Sequence, residues 1–153
     1  MNILLIRGPA NNKAIDLSHY TFSEPLGLQM LYSVLSKENS VEIFDMLADK
    51  TTLEKKLNEK QFDFCGISSA CSDIFMIKDL ARKIKKIKDI PIFIGGYQVK
   101  KTPELFKSRH IDFIMVETNR ENLDKMLESA RNNSTSKLKG VLRKSLNFED
   151  CEL

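Results

Sequence analysis

No stretch of this 153-residue chain is long and apolar enough to cross a membrane as a helix, and its first residues, MNILLIRG, lack the basic lead and small-residue cleavage site of a secretory signal. Both absences predict a cytoplasmic protein with no membrane partner. Cysteine is scarce: Cys65 and Cys71 are six apart and Cys151 is remote, so neither a CxxC redox pair nor a usual zinc spacing is present. In a reducing compartment all three are free thiols, and Cys65, inside an apolar run, reads as a small core residue. There is no basic stripe with aromatics interleaved, because 24 Lys and Arg are dispersed among 21 Asp and Glu for a net charge of +3. That argues against a nucleic-acid partner. The densest basic segment, ARKIKKIK at 81–88, carries Ile84 and Ile87 at helical spacing, so its lysines read as the wet face of an amphipathic helix.

Several catalytic signatures are missing as well. The double glycine Gly95–Gly96 is not followed by a GK pair, which excludes a P-loop, and no glycine lies two residues after Ser68 or Ser69 as a nucleophile elbow requires. Asp45, Asp73 and Glu117 could share an acidic pocket, but Arg7 and Gly8 follow the first strand and Ser68 follows the third, so a phosphoacceptor pattern is incomplete. A flavin mononucleotide site would want a hydroxyl-rich SxTGxT loop after the first strand and aromatics around the ring. Ser18, Tyr20 and Tyr97 offer only fragments of that.

What is present is a chain that is 42% hydrophobic and 29% charged, enough for one domain with a real core. Its organising stretch is Asp89 to Gln98, where Ile90 to Ile94 form an apolar run of strand length buried on both faces, stopped by Gly95 and Gly96. Glycines at the carboxyl end of a central parallel strand let backbone approach a ligand, and in open parallel sheets ligands sit at that end. Around it the pattern alternates. Strands are expected at 2–6, 41–44, 62–67, 90–94 and 111–116. Helices are expected from the Ser23–Pro25 start to about Lys37, after a Thr51 or Thr52 cap, after a Ser72 or Asp73 cap through Ile87, at 104–108 after Thr102 and Pro103, and from Arg120 to Arg131 behind an Asn119 cap. Leu138 to Leu142 reads as a short extended segment. This alternation predicts an α/β, flavodoxin-like (Rossmann-like) doubly wound five-stranded parallel sheet of order 2-1-3-4-5, in a domain of residues 1–131 with 132–153 as an extension or the start of a linker. The loops 7–27, 68–72, 95–102 and 116–119 then share the carboxyl edge. The first of these is long for its place, as functional loops tend to be.

On those residues the chain resembles a known family. EPLGLQMLYSVL at 24–35, VEIFDM at 41–46, FDFCGISSACSD at 62–73, IPIFIGGYQVKKTPEL at 90–105 and IDFIMVE at 111–117 come in the order and spacing of the cobalamin-binding domain at the amino terminus of many radical SAM enzymes. LKGVLRK at 138–144 resembles the segment that leads out toward the radical SAM barrel. The resemblance implies a corrinoid across the carboxyl edge, its nucleotide tail near Ser68, Ser69, Ala70, Cys71, Gly95, Gly96, Tyr97 and Gln98. Leu26, Gly27, Val116, Glu117 and Thr118 would then lie around the macrocycle, with Pro9 also among the cofactor contacts. Three departures from the family pattern stand out. The DxHxxG motif that supplies an axial histidine in other cobalamin domains is absent, which implies base-off binding without a histidine ligand. His19 is the candidate cobalt ligand if there is one, against the plainer reading of a surface-loop histidine. The turn after the fifth strand reads VETNREN rather than carrying paired glycines. No CxxxCxxC cluster motif exists, so no catalysis is expected from this chain alone and any radical SAM chemistry would belong to a partner or a further domain. A flavodoxin-like interaction module, or a binder of another nucleotide-tailed cofactor such as FMN, is the alternative.

Overall fold

A computed structural model of the protein describes residues 1–9, 24–69, 74–132, 134 and 137–148. Its elements run β1 (Asn2–Arg7), α1 (Leu26–Leu35), β2 (Ser40–Asp45), α2 (Leu53–Glu59), β3 (Phe64–Ser68), α3 (Ile74–Ile87), β4 (Ile92–Gly95), α4 (Tyr97–Lys101), β5 (Phe113–Met115), α5 (Arg120–Arg131) and β6 (Val141–Arg143). Short 3-10 turns cover Pro103–Phe106 and Lys144–Leu146. The sheet order is β2-β1-β3-β4-β5-β6, with the first five strands parallel and β6 antiparallel to β5. No described helix is long and apolar enough to cross a membrane.

The five parallel strands and their order agree with expectation, but the sheet has six strands rather than five. The extra strand arises at Gly140, whose φ of 70° only glycine adopts readily. Its carbonyl accepts the N–H groups of Val116 and Glu117 at 2.8 and 3.0 Å, which folds Val141–Arg143 back along β5. A three-residue strand after a polar spacer has no readable alternation, so the segment looked merely extended. The helix expected at 104–108 is also different. Regular helix starts directly at Tyr97, and the Pro103 segment is only a 3-10 turn. Val99 alone anchors α4 in the core, and one buried residue in five gives no helical period to read.

Period-2 alternation along β1 sends Ile3 and Leu5 to one face and Leu4 and Ile6 to the other, and all four are buried completely. The first face packs against Leu28 and Leu35 of α1 and Leu123, Met126 and Leu127 of α5. Leu57 of α2, Ile77, Leu80 and Ile84 of α3, and Val99 cover the second. Where a helix begins, its cap is visible in the sequence: Thr52 Oγ1 accepts the Lys55 N–H at 3.2 Å and Asn119 Oδ1 accepts the Asn122 N–H at 2.8 Å. At the outer side of β2, Glu42 is held by Lys56 at 2.9 Å and by Lys60, and hydrogen bonds from Lys60 and Lys56 keep its carboxyl below the usual carboxylate range.

Candidate functional site

Because α1 and α5 both start at the carboxyl edge and lie on the same face of the sheet, their separation leaves a groove between them, floored by the ends of β3, β4 and β5. Its volume is about 450 Å³, within the range of small-molecule sites. Gly27, Met30, Leu31 and Val34 of α1 form one wall, Thr118, Asn119, Arg120 and Leu123 the other, and Gly66, Ser68, Phe93, Gly95 and Met115 the floor.

The glycines of this region divide into two kinds. Gly66 is demanded by packing, since a Cβ there would lie 2.4 Å from Phe93 Cζ, and Gly96 is demanded by its φ of 118°. Gly27 and Gly95 are demanded by neither. A Cβ on Gly27 would meet nothing within 4 Å, and one on Gly95 would meet only Met115 and Thr118 at 3.8 Å, an ordinary contact. Their missing side chains do nothing for the protein's own packing. They keep the groove open.

The expected site residues distribute as follows. Gly27, Ser68, Gly95, Gly96 and Thr118 line the groove together. Leu26 stands at the start of α1 and Tyr97 at the start of α4, 66% and 67% exposed, with Lys101 Nζ 5.5 Å from the Tyr97 ring centre. Ser69 is fully buried, and both its N–H and its hydroxyl donate to the Gly95 carbonyl, at 2.8 and 2.9 Å. That clamp fixes the ends of β3 and β4 to each other. Pro9 follows β1 at the same edge and is half-buried. Gln98 donates to Thr102 Oγ1 at 3.2 Å. Val116 is buried in the face opposite the groove, while Glu117 is exposed and its carbonyl accepts from Asn122 Nδ2 at 3.1 Å. Ala70, Cys71 and His19 lie outside the described residues.

Sequence reasoning missed much of the groove: Met30, Met115, Arg120 and Leu123 were not anticipated as lining, whereas Asn119 falls in the 116–119 loop expected at this edge. Their helical and strand spacing is the same whether a side chain faces a core or a cavity. The one available signal was glycine at position 27 in the first turn of α1, where any residue but proline has the higher helix propensity. Asp45, expected to close β2 at this edge, is occupied structurally. It pairs with Arg7 at 3.3 Å and accepts the Leu47 N–H at 3.0 Å. Among the described residues no three His, Cys, Asp or Glu side chains converge in a way that would hold a metal ion.

The clamp yields a first expected result. Ser69→Ala removes one neutral hydrogen bond while the Ser69 N–H still satisfies the Gly95 carbonyl, a loss of about 1 kcal/mol. Thermal melting followed by circular dichroism should show Tm lower by roughly 2–4 °C. An unchanged Tm would mean that the hydroxyl is not part of what holds β3 to β4.

Comparison with known proteins bears on this groove. The profile of the B12 binding domain matches residues 13–127. An uncharacterised methyltransferase of Pyrococcus horikoshii is 33% identical over 109 residues, which is 69% of this chain and 24% of that protein. The chain therefore spans about a quarter of the length of the curated relative it matches. No solved structure matches the chain.

Proposed function

The chain belongs to the B12 binding domain family, whose cofactor is cobalamin, and on that premise we propose that it holds cobalamin base-off at the carboxyl edge of its sheet and presents it to a catalytic partner or domain. The observation that carries the reading is the pair of glycines that line the groove between α1 and α5 without need from the protein's own packing: Gly27, which faces open space, and Gly95, where a Cβ would make only ordinary contacts. An apolar groove with glycine walls fits the nucleotide tail. Thr118, Asn119 and Arg120, at the start of α5, offer hydroxyl, amide and guanidinium groups to its phosphate, at the helix end where partial positive charge favours an anion. For the macrocycle, Leu26 and Met30 on α1, Phe75 in the first turn of α3 and Tyr97 on α4 put large apolar side chains around the same edge, each at least 66% exposed. A flat ring of mixed polarity needs such a platform.

When bound, cobalamin supplies a cobalt centre able to carry a methyl group. The chain's own residues bind, orient and shield. The related protein's designation as a methyltransferase supports a methyl-transferring assembly, and the likeness of segments 24–35, 90–105 and 138–144 to cobalamin domains of radical SAM enzymes supports a radical SAM partner. We place the assembly in the cytoplasm.

The test is retention of hydroxocobalamin after gel filtration, read by absorption. Near-stoichiometric retention with a base-off spectrum, unchanged in His19→Ala, is the expected outcome. A protein that elutes colourless would sink the reading, and a base-on or histidine-ligated spectrum lost in His19→Ala would sink its base-off part.

A further inference from the structure

The opposite edge of the sheet carries a second concavity. Arg82, Lys85 and Lys86 at the end of α3, Arg109 from the turn before β5 and Lys144 just after β6 face one cleft of about 460 Å³. Three separate segments thus bring five cations to one place. Helix polarity accounts for part of this, since Lys85 and Lys86 lie in the last turn of α3, where the carbonyl ends favour positive charge. It does not account for Arg109 and Lys144.

Nearby acids neutralise only some of the five. Asp112 pairs with Lys85 at 2.9 Å and Lys144 at 2.8 Å, Asp89 pairs with Lys85 at 3.0 Å, and Asp79 pairs with Arg82 and Lys83. Among the described residues Lys86 and Arg109 have no acidic partner. The guanidinium of Arg109 instead donates through Nε to His110 Nε2 at 3.1 Å, so this ring nitrogen is an acceptor and the imidazole is neutral. Partial burial, then the charges of Arg109, Arg82, Lys144 and Lys85, hold His110 below its ordinary pKa. A cation aimed at a neutral ring, with acids at hand but committed elsewhere, is an arrangement that an anion would relieve.

We propose that this cleft is a binding site for a small phosphate compound carrying two or more negative charges, of the diphosphate class, with Lys86 and Arg109 as its principal contacts. A guanidinium suits the forked oxygens of a phosphate, and an ammonium beside it adds a point charge. The cleft lies a strand length, roughly 15–20 Å, from the carboxyl edge, so both sites can be filled together. Protonation of His110 adds a sixth positive charge, so affinity rises as pH falls through the pKa of that residue.

The chain has two histidines, so the His110 ring signals in an NMR titration can be assigned with His110→Gln. Inorganic pyrophosphate is the probe. The expected result is a pyrophosphate-induced rise in the His110 pKa that exceeds the effect of sodium chloride at equal ionic strength, with affinity at least tenfold weaker in a Lys86→Gln, Arg109→Gln double variant. Those positions are at the surface and far from the groove, so hydroxocobalamin retention stays at the parent level whichever way the titration goes. No rise beyond the chloride control, an equal affinity in the double variant, or tighter binding of a single-stranded oligonucleotide than of pyrophosphate would each overturn the proposal.

Discussion

Gly27→Leu is expected to give a protein that melts at or above the parent temperature and no longer retains cobalamin. The two effects have separate causes. Glycine inside a helix costs roughly 0.5–1 kcal/mol relative to alanine, and a Cβ at position 27 meets no atom within 4 Å, so the helix gains without a clash at the branch point. A leucine there, however, projects into the groove between α1 and α5 that the nucleotide tail would occupy. Loss of retained corrinoid of a hundredfold or more in affinity, beside an equal or raised Tm, would assign the groove to the tail. Retention at the parent level would mean that the tail lies elsewhere, even if the carboxyl edge still holds the ring. Few substitutions at a functional site are expected to stabilise the fold. Those that do point to residues kept for space.

Gly66→Ala should behave in the opposite way. Here the Cβ would lie 2.4 and 2.5 Å from two atoms of the Phe93 ring and 2.9 Å from Leu5 Cδ2. Phe93 cannot step aside easily, because its ring centre lies 5.5 Å from that of Phe64, which in turn lies 5.9 Å from Phe113. Overpacking of this kind costs about 1–3 kcal/mol, and Tm should fall by roughly 2–12 °C. Phe93 helps to floor the groove, so any displacement of its ring should weaken cobalamin retention together with stability. Phe93→Leu in the Gly66→Ala background gives the check. If the two residues compete for one volume, the double variant is more stable than the sum of the single effects predicts; simple additivity would place the strain elsewhere.

These two glycines show what the sequence can and cannot convey. The double glycine at 95–96 was legible because it ends an apolar run of strand length, and the caps Thr52 and Asn119 were legible because hydroxyl and amide side chains before charged helical segments have one common use. The first five strands, in their order, follow from alternation and from the handedness of parallel crossovers. The groove was not legible. Leu31 and Val34 sit at helical spacing on the inward side of α1, but what they line there is a cavity. Periodicity reports which side of a helix turns from water and is blind to whether protein or ligand meets it there. Ser69 shows the same limit from the polar side: the resemblance sets it near the nucleotide tail, and spacing alone could not tell that its hydroxyl also serves the protein, donating to the Gly95 carbonyl. The sixth strand escaped because its pairing depends on one left-handed glycine at position 140, whose partners Val116 and Glu117 are more than twenty residues away.

That short returning strand also decides how the protein meets its neighbours. An outermost strand whose backbone donors and acceptors face water invites a strand from another molecule, and β5, with Phe113, Ile114 and Met115 all buried, would be a sticky one. By lying along it, β6 takes over that edge with a strand of only three residues, too short to template a strand from another molecule. At the opposite edge stands β2. There the lysine pair around Glu42 sets charge where a foreign strand would have to dock, so crowding in solution is resisted on one side by cover and on the other by charge.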